Sequence, residues 1–229
     1  MRRSRFLALP VFIALLAGPA TVDARCARRV LVLSMLTPPA GTVPRDGGVV
    51  AALLPAAGGP EGMPAAFSLV RGRRSTPMRS ETLAPGLIRL VPEGRVSGAY
   101  RIEGVAGSAD VIFARPGLPG APPSPRLDHA ERYLVARGRE QMVEVRAHFE
   151  HPIPENVIAI VTYWGDDPEP DGFVRAIPMA QEQIVYGRGR CDPEPDGTHA
   201  PPEGETSVRV AFVDRVGQVS PLSGAQALR

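Results

Sequence analysis

Lysine is missing altogether: all 26 basic residues are arginine. Alanine, glycine and proline are abundant beside it, a coding bias toward GC-rich codons rather than a functional signature. Aromatic residues make up only 5% of the chain, with a single tryptophan. The arginines are therefore scattered without interleaved aromatics, which argues against a nucleic-acid surface. Catalytic fingerprints are missing too. There is no G-x-S-x-G elbow, no P-loop and no dinucleotide-binding glycine pattern. The four histidines are His129, His148, His151 and His199, and none has zinc-type spacing with a nearby third ligand. His148 and His151 are three apart, and on a strand and its exit that spacing puts them on opposite faces. No catalytic residues are assigned. The apolar run Phe6–Ala17 is too short to span a bilayer comfortably, and no other stretch is apolar for long enough to cross one.

What is present begins with an address. Arg2, Arg3 and Arg5 precede the short apolar run Phe6–Ala17, and Val22-Asp23-Ala24 places small or apolar residues before a cleavage point at Arg25. Residues 1–24 read as a cleaved signal peptide, so export is expected. Arg25 before Cys26 argues against a lipoprotein anchor. The only cysteines, Cys26 and Cys191, then pair most simply with each other. That bond would close a loop of about 165 residues and stabilise by roughly 3–5 kcal/mol in the chain-entropy model. Two free thiols or an intermolecular bond are the alternatives.

Arg115–Pro125, with five prolines and two glycines, divides the chain as a stiff linker. Residues 25–123 carry twelve arginines and six acids; residues 124–229 carry eleven arginines and seventeen acids. Opposite signs favour docking of the halves or head-to-tail contacts between molecules; chance composition on two solvated surfaces is the plainer reading.

Both halves show strand rhythm. In the first, Val30–Leu36, Val49–Leu54, Ala66–Val70, Glu81–Leu83, Gly86–Val91, Gly98–Glu103 and Ser108–Ala114 are separated by glycine and proline turns. In the second, expected strands are Tyr133–Ala136, Gln141–Phe149, Val157–Trp164, Phe173–Ile177, Gln183–Tyr186 and Ser207–Val213, with a short closing strand at Val219–Leu222. Gln141–Phe149 points Val143, Val145, Ala147 and Phe149 inward and Glu144, Arg146 and His148 outward. Val157–Trp164 is apolar on both faces, as a central strand is. Trp164 reads as core. Arg71, Arg73 and Arg74 read as a solvated loop.

The tail Val210, Phe212, Asp214, Gly217, Ser220, Ser223 resembles the "V-x-A-x-D-x-x-G-x-x-S-x-x-S" ending of secreted bacterial immunoglobulin-like and fibronectin-like domains. Pro39, Gly41, Val43 and Pro44 are similar to the opening of bacterial Ig-like domains. The resemblance implies an all-β chain of two tandem antiparallel β-sandwiches, residues 25–114 and 126–229, joined by the linker 115–125. Some periplasmic copper proteins open similarly, but they need Met and His ligands. Met35, Met63 and Met78, with no histidine before His129, do not supply that set.

The hexapeptide Asp167-Pro168-Glu169-Pro170-Asp171-Gly172 recurs as Asp192-Pro193-Glu194-Pro195-Asp196-Gly197. Alternating carboxylates before a glycine gather hard oxygen ligands in calcium loops. In the second copy Asp192, Glu194, Asp196 and Glu203 stand at the right spacing for calcium; in the first, Pro178 occupies the last ligand position. Glu at the third position, two prolines per loop and the lack of flanking helices argue against an EF-hand. Acidic, proline-rich connections that keep strand edges apart are the plainer reading. No other cofactor is implied. The expected role is an exported, non-catalytic binding or structural module whose partner is an unidentified envelope protein or polysaccharide. A calcium-dependent adhesion or matrix protein is the alternative, and a secreted hydrolase or enzyme inhibitor is the reading with least behind it.

Overall fold

The computed structural model describes residues 30–38, 42–56, 62–106, 110–114, 117–137, 140–179, 182–187 and 204–229. The described residues are all-β, with no helix, so no helix among them is long and apolar enough to cross a membrane. Among the described residues, fifteen strands are arranged in three sheets.

Eight strands come from the first half: Val30–Met35 (β1), Thr42–Pro44 (β2), Val49–Ala56 (β3), Phe67–Arg71 (β4), Arg74–Ala84 (β5), Leu87–Pro92 (β6), Gly98–Glu103 (β7) and Asp110–Ala114 (β8). They form one sheet in the order β1-β3-β6-β5-β4-β7-β8-β2, not the two stacked sheets the strand count suggests. The free edge of β1 explains the shape. Leu31 and Leu33 carbonyls accept from Gly62 and Ala106 amides at 2.9 and 2.8 Å, so the far side of the sheet curls back toward its first strand. The result is a half-barrel around Leu33, Val43, Leu69, Leu90, Val111 and Phe113. Val43 and Pro44 of the Ig-like opening lie in β2, a three-residue edge strand parallel to β8, where Pro44 breaks no central ladder.

The second half supplies Leu127–Arg137 (β9), Glu140–Phe149 (β10), Val157–Trp164 (β11), Gly172–Arg175 (β12), Gln183–Tyr186 (β13), Ser207–Asp214 (β14) and Gln226–Ala227 (β15). A three-stranded sheet β13-β10-β9 faces a four-stranded sheet β12-β11-β14-β15. Val145, Ala147 and Phe149 of the first meet Ile160, Trp164, Val208 and Phe212 of the second in one cluster. Trp164 lies edge-on to Tyr186, with ring centroids 5.2 Å apart. Val145, Ala147 and Phe149 of β10 are buried and Arg146 and His148 part-exposed, as expected, whereas Val143 is only part-buried and Glu144, expected outward, is 8% exposed.

A third cluster joins the halves. Leu36, Val50, Ala52, Ala84 and Leu87 from the outer face of the half-barrel pack on Ala159, Val161, Phe173 and Val213 from the outer face of the four-stranded sheet. This is why Val157–Trp164 is apolar on both faces: β11 is the middle of three layers. Alternation of Ser207–Val213 suggests one buried face, yet Ala211 and Val213 are buried on the other side as well.

The turn after β14 seals this junction. Val216 inserts into the half-barrel core, and the buried Thr37 hydroxyl donates to the Arg215 carbonyl at 2.8 Å while accepting from the Val50 amide at 2.8 Å. Asp214, 0% exposed, shapes the turn: its Oδ1 accepts from the amides of Val216 and Gln218 at 3.0 and 2.8 Å. Gly217 has φ +80°, and a Cβ there would stand 2.7 Å from Arg89 Cγ and Cδ. Gly48 also meets Arg89: a Cβ there would fall 2.7 Å from Arg89 Cγ. One glycine from each half thus approaches the arginine stem closely.

Beyond the turn, Ser220 and Ser223 each replace a strand partner. Their amides donate to the carbonyls of Phe212 and Val210, and their hydroxyl oxygens accept from the amides of the same two residues at 2.9 and 3.0 Å. Backbone groups at the edge of β14 are thereby satisfied. The segment Val219–Leu222, expected as a closing strand, makes an isolated bridge at Val219, and the closing strand proper is β15. Pro221 has no amide to donate; on either side of it the serine hydroxyls accept from β14 amides, the part that carbonyls of a partner strand would play. The linker lies against this tail, with Ser124 donating to the Leu222 carbonyl at 2.8 Å and Gln218 to the Pro119 carbonyl at 2.6 Å.

Burial holds the Asp214 carboxyl above its ordinary range, against the opposing pull of the Gln218 and Val216 amides and Arg89. A raised carboxyl binds its proton more readily folded than unfolded. Its contribution is fully present below the unfolded value of about 3.9 and is lost as pH rises through the folded value. Denaturant titrations of wild type and Asp214→Asn across pH 4–7 are expected to show wild type gaining on the variant as pH falls.

Candidate functional site

Solvent meets the outer face of the β13-β10-β9 sheet, because the junction between the halves uses the opposite layer of the second half. The register of β9 and β10 sets His129 opposite His148, Glu131 opposite Arg146 and Tyr133 opposite Glu144. With a period of two, all six side chains share that outer face.

These side chains are organised among themselves. The rings of His129 and His148 stack with centroids 4.2 Å apart and planes 13° from parallel. Asp128 Oδ2 lies 2.7 Å from His129 Nδ1. The Tyr133 hydroxyl donates to Glu131, and that bond is the main reason its pKa is raised. The Arg146 guanidinium sits 4.7 Å over the Tyr133 ring and donates to Glu144 Oε1 at 2.7 Å; the bond to Glu144 raises its own pKa. His129, Glu131 and His148 are all half-buried and each offers one donor atom within 4.8 Å of the others. Among the described residues this is the group that could hold a metal ion.

The same face runs into a shallow groove of about 670 Å³ beside β12 and β13, lined by His148, Val174, Arg175, Ile177, Gln183 and Val185. Ile177 is 61% exposed and Met179 62%. Met179 also carries φ +62°, an unusual conformation for a side chain of its size, fixed by its amide bond to the Ile153 carbonyl at 3.1 Å. Ile177 and Val185 therefore hold apolar groups out to solvent along the groove.

Asp192, Glu194, Asp196 and Glu203, the expected calcium ligands, lie outside the described residues, as do Cys26 and Cys191. The first hexapeptide copy is described and is a connection between β11 and β12. Asp167 Oδ1 accepts the Glu169 amide at 2.9 Å, the turn-forming habit of aspartate. Asp171 Oδ2 accepts the Trp164 indole N–H at 3.0 Å. Arg209 on β14 donates to the Gly165 and Asp167 carbonyls at 3.0 and 2.8 Å. The carboxylates of Asp167 and Asp171 are spent on shaping the loop, in keeping with the proline that denies this copy a complete ligand set. Arg71, expected in a solvated loop, ends β4, donates to the Ser97 carbonyl at 3.0 Å and lies 5.8 Å from the Tyr100 ring; Arg73 and Arg74 are exposed.

No protein-family model matches this chain, and no curated protein aligns with it. Function therefore has to be argued from the residues and their arrangement.

The histidine pair escaped inspection of the chain because it is formed across a hairpin. His129 and His148 are far apart in sequence, and the expected first strand of the half began only at Tyr133. A hairpin with Arg137 opposite Glu140 brings 129 opposite 148. The signal available was the polar-outward alternation of β10, continued symmetrically onto the preceding segment.

Proposed function

We propose that the protein is an exported, non-catalytic binding or structural module of the bacterial envelope that recognises a protein or polysaccharide. The observation that carries this reading is the outer face of β9, β10 and β13. It sets histidine, tyrosine, arginine and glutamate side chains in cross-strand register and continues into a groove with exposed apolar rims. Aromatic and arginine side chains held by their neighbours lose little freedom on binding, which favours recognition. The three-layer body behind them keeps the face rigid.

Export rests on the arginine-led apolar segment at residues 2–17. The second half is proposed to be a fibronectin-like sandwich. Its strand order, β9-β10-β13 facing β12-β11-β14-β15, and the roles of Asp214, Gly217, Ser220 and Ser223 in its tail support that assignment. The first half keeps the strand rhythm of such domains but curls one sheet, so its kinship to them rests on the Pro39–Pro44 passage alone. Calcium-dependent adhesion through Asp192, Glu194, Asp196 and Glu203 is the competing reading, and no described residue favours it.

Site-specific photo-crosslinking in intact cells tests the proposal. A photoreactive phenylalanine analogue at Tyr133 or Val185 is expected to give an adduct with an envelope component. The same analogue at Tyr100, on the half-barrel, is expected to give none. Adducts only from position 100, or none from 133 and 185 in an envelope where the protein is abundant, would reject this face as the recognition surface.

A further inference from the structure

Two imidazoles and a carboxylate on adjacent positions of one sheet face carry an inference beyond binding in general. We propose that His129, His148 and Glu131 form a binding site for a divalent first-row transition ion, zinc or copper(II).

The donor set points to that class of ion. Imidazole nitrogen suits zinc and copper, whereas calcium and magnesium take oxygen ligands. The backbone already supplies the placement: His129 and His148 are directly opposed, and Glu131 follows His129 by two residues on the same face. The three donor atoms lie within 4.8 Å of one another. A tetrahedral ion with bonds of ~2.0–2.2 Å needs donors ~3.4 Å apart. The two rings stack 13° from parallel, so ion binding requires them to turn about their side-chain torsions until the in-plane lone pairs converge, a movement that part-exposed side chains on a fixed pair of strands allow.

The surrounding groups are arranged as the outer shell of a metal site. Asp128 Oδ2 lies 2.7 Å from Nδ1 of His129; a carboxylate there favours the tautomer protonated at Nδ1, which presents Nε2 to an ion. A carboxylate behind a ligating histidine is the usual means of orienting it. The Tyr133 hydroxyl donates to Glu131, and Arg146 is drawn off to Glu144 and the Tyr133 ring. Glu131 is therefore steadied by a neutral hydroxyl, while the nearest guanidinium is committed to another carboxylate. Three protein ligands on an open face leave at least one coordination position for water or for a donor from a partner.

The inference does not depend on export or on any envelope partner. Its test is a calorimetric titration of tag-free protein with zinc chloride, repeated with copper(II). Wild type is expected to bind one ion at this site. The double variant His129→Ala/His148→Ala should lose that binding event, and Glu131→Gln should weaken it. Asp128→Asn should weaken it by about 10–100-fold while keeping both imidazoles, the cost typical of losing an outer-shell carboxylate. Metal-free thermal melts check folding: these side chains face outward, so the variants should melt as wild type does. Should the double variant misfold, the two conservative carboxylate variants decide. A double variant that titrates like wild type, carboxylate variants with unchanged affinity, or wild type that takes up neither ion, would overturn the proposal.

Discussion

Phe173→Ala is expected to lower the stability of the whole protein by about 3–5 kcal/mol, the cost of emptying a buried phenylalanine site. Phe173 is 1% exposed, and it packs in the cluster shared by Val50, Ala52 and Leu87 of the half-barrel and Val161 and Val213 of the four-stranded sheet. The cavity would open between the halves rather than inside either. Equilibrium urea unfolding should then show both halves lose stability together, followed by Trp164 fluorescence in the second half and by an introduced probe in the first. A loss confined to the Trp164 signal would show that Phe173 serves only its own half.

Substitution of Gly217 by valine is the second large effect. A side chain at φ +80° costs ~1–2 kcal/mol in the left-handed region, more for a β-branched residue. Its Cβ would also meet the aliphatic stem of Arg89 at 2.7 Å, and overpacking of this kind adds ~1–3 kcal/mol. Gly48 also approaches the Arg89 stem closely, which limits the room for it to retreat. The turn would have to lift, pulling Val216 out of the half-barrel core and Arg215 away from Thr37. Gly217→Val is expected to lose about 2–5 kcal/mol in a chemical denaturation series. Gly217→Ala in an Arg89→Ala background should recover part of that loss, since the handedness cost remains and the clash does not. Failure of that rescue would assign the glycine to turn conformation alone.

These two positions also show how far sequence reading reaches. The apolar run Val157–Trp164 announces a strand buried on both faces, and the structure gives it two neighbouring layers. The run Val49–Leu54 carries the same message: Val49, Ala51 and Leu53 face one cluster, Val50 and Ala52 another. Neither run names its partner, because hydrophobicity is non-directional. Leu87, Arg89 and Val91 are legible as one face of a strand. That Arg89 lies close against two glycines from distant parts of the chain is not, since both meet it only once the halves have met.

Strand positions were more legible than sheet membership. Turn residues mark where a strand stops, but whether the next strand stays in the same sheet depends on long-range pairing. Hence seven of the eight strands of the first half are foreseen, while their union in one curled sheet is not. Leu127–Arg137 was foreseen only from Tyr133 onward. Of the positions that share one side of the strand, Ala130 is buried but Arg132 and Leu134 are exposed, so there is little alternation to read; the strand is held by pairing with β10 and by the hydrogen bond from the Arg132 amide to the Arg229 carbonyl at 2.8 Å. The tail motif was legible as a pattern, and its physics is now explicit: an aspartate that forms the turn, a glycine that permits it, and two serines that satisfy the edge of β14.

The central claim is that the halves are joined through a common core, which leaves the β13-β10-β9 face as the free one. Differential scanning calorimetry of the purified protein tests this most directly. A shared core predicts one endotherm whose calorimetric and van't Hoff enthalpies agree, and a single, lower endotherm for Phe173→Ala. Two resolved transitions, with only one of them moved by Phe173→Ala, would contradict the account and return the chain to two independent domains on a linker.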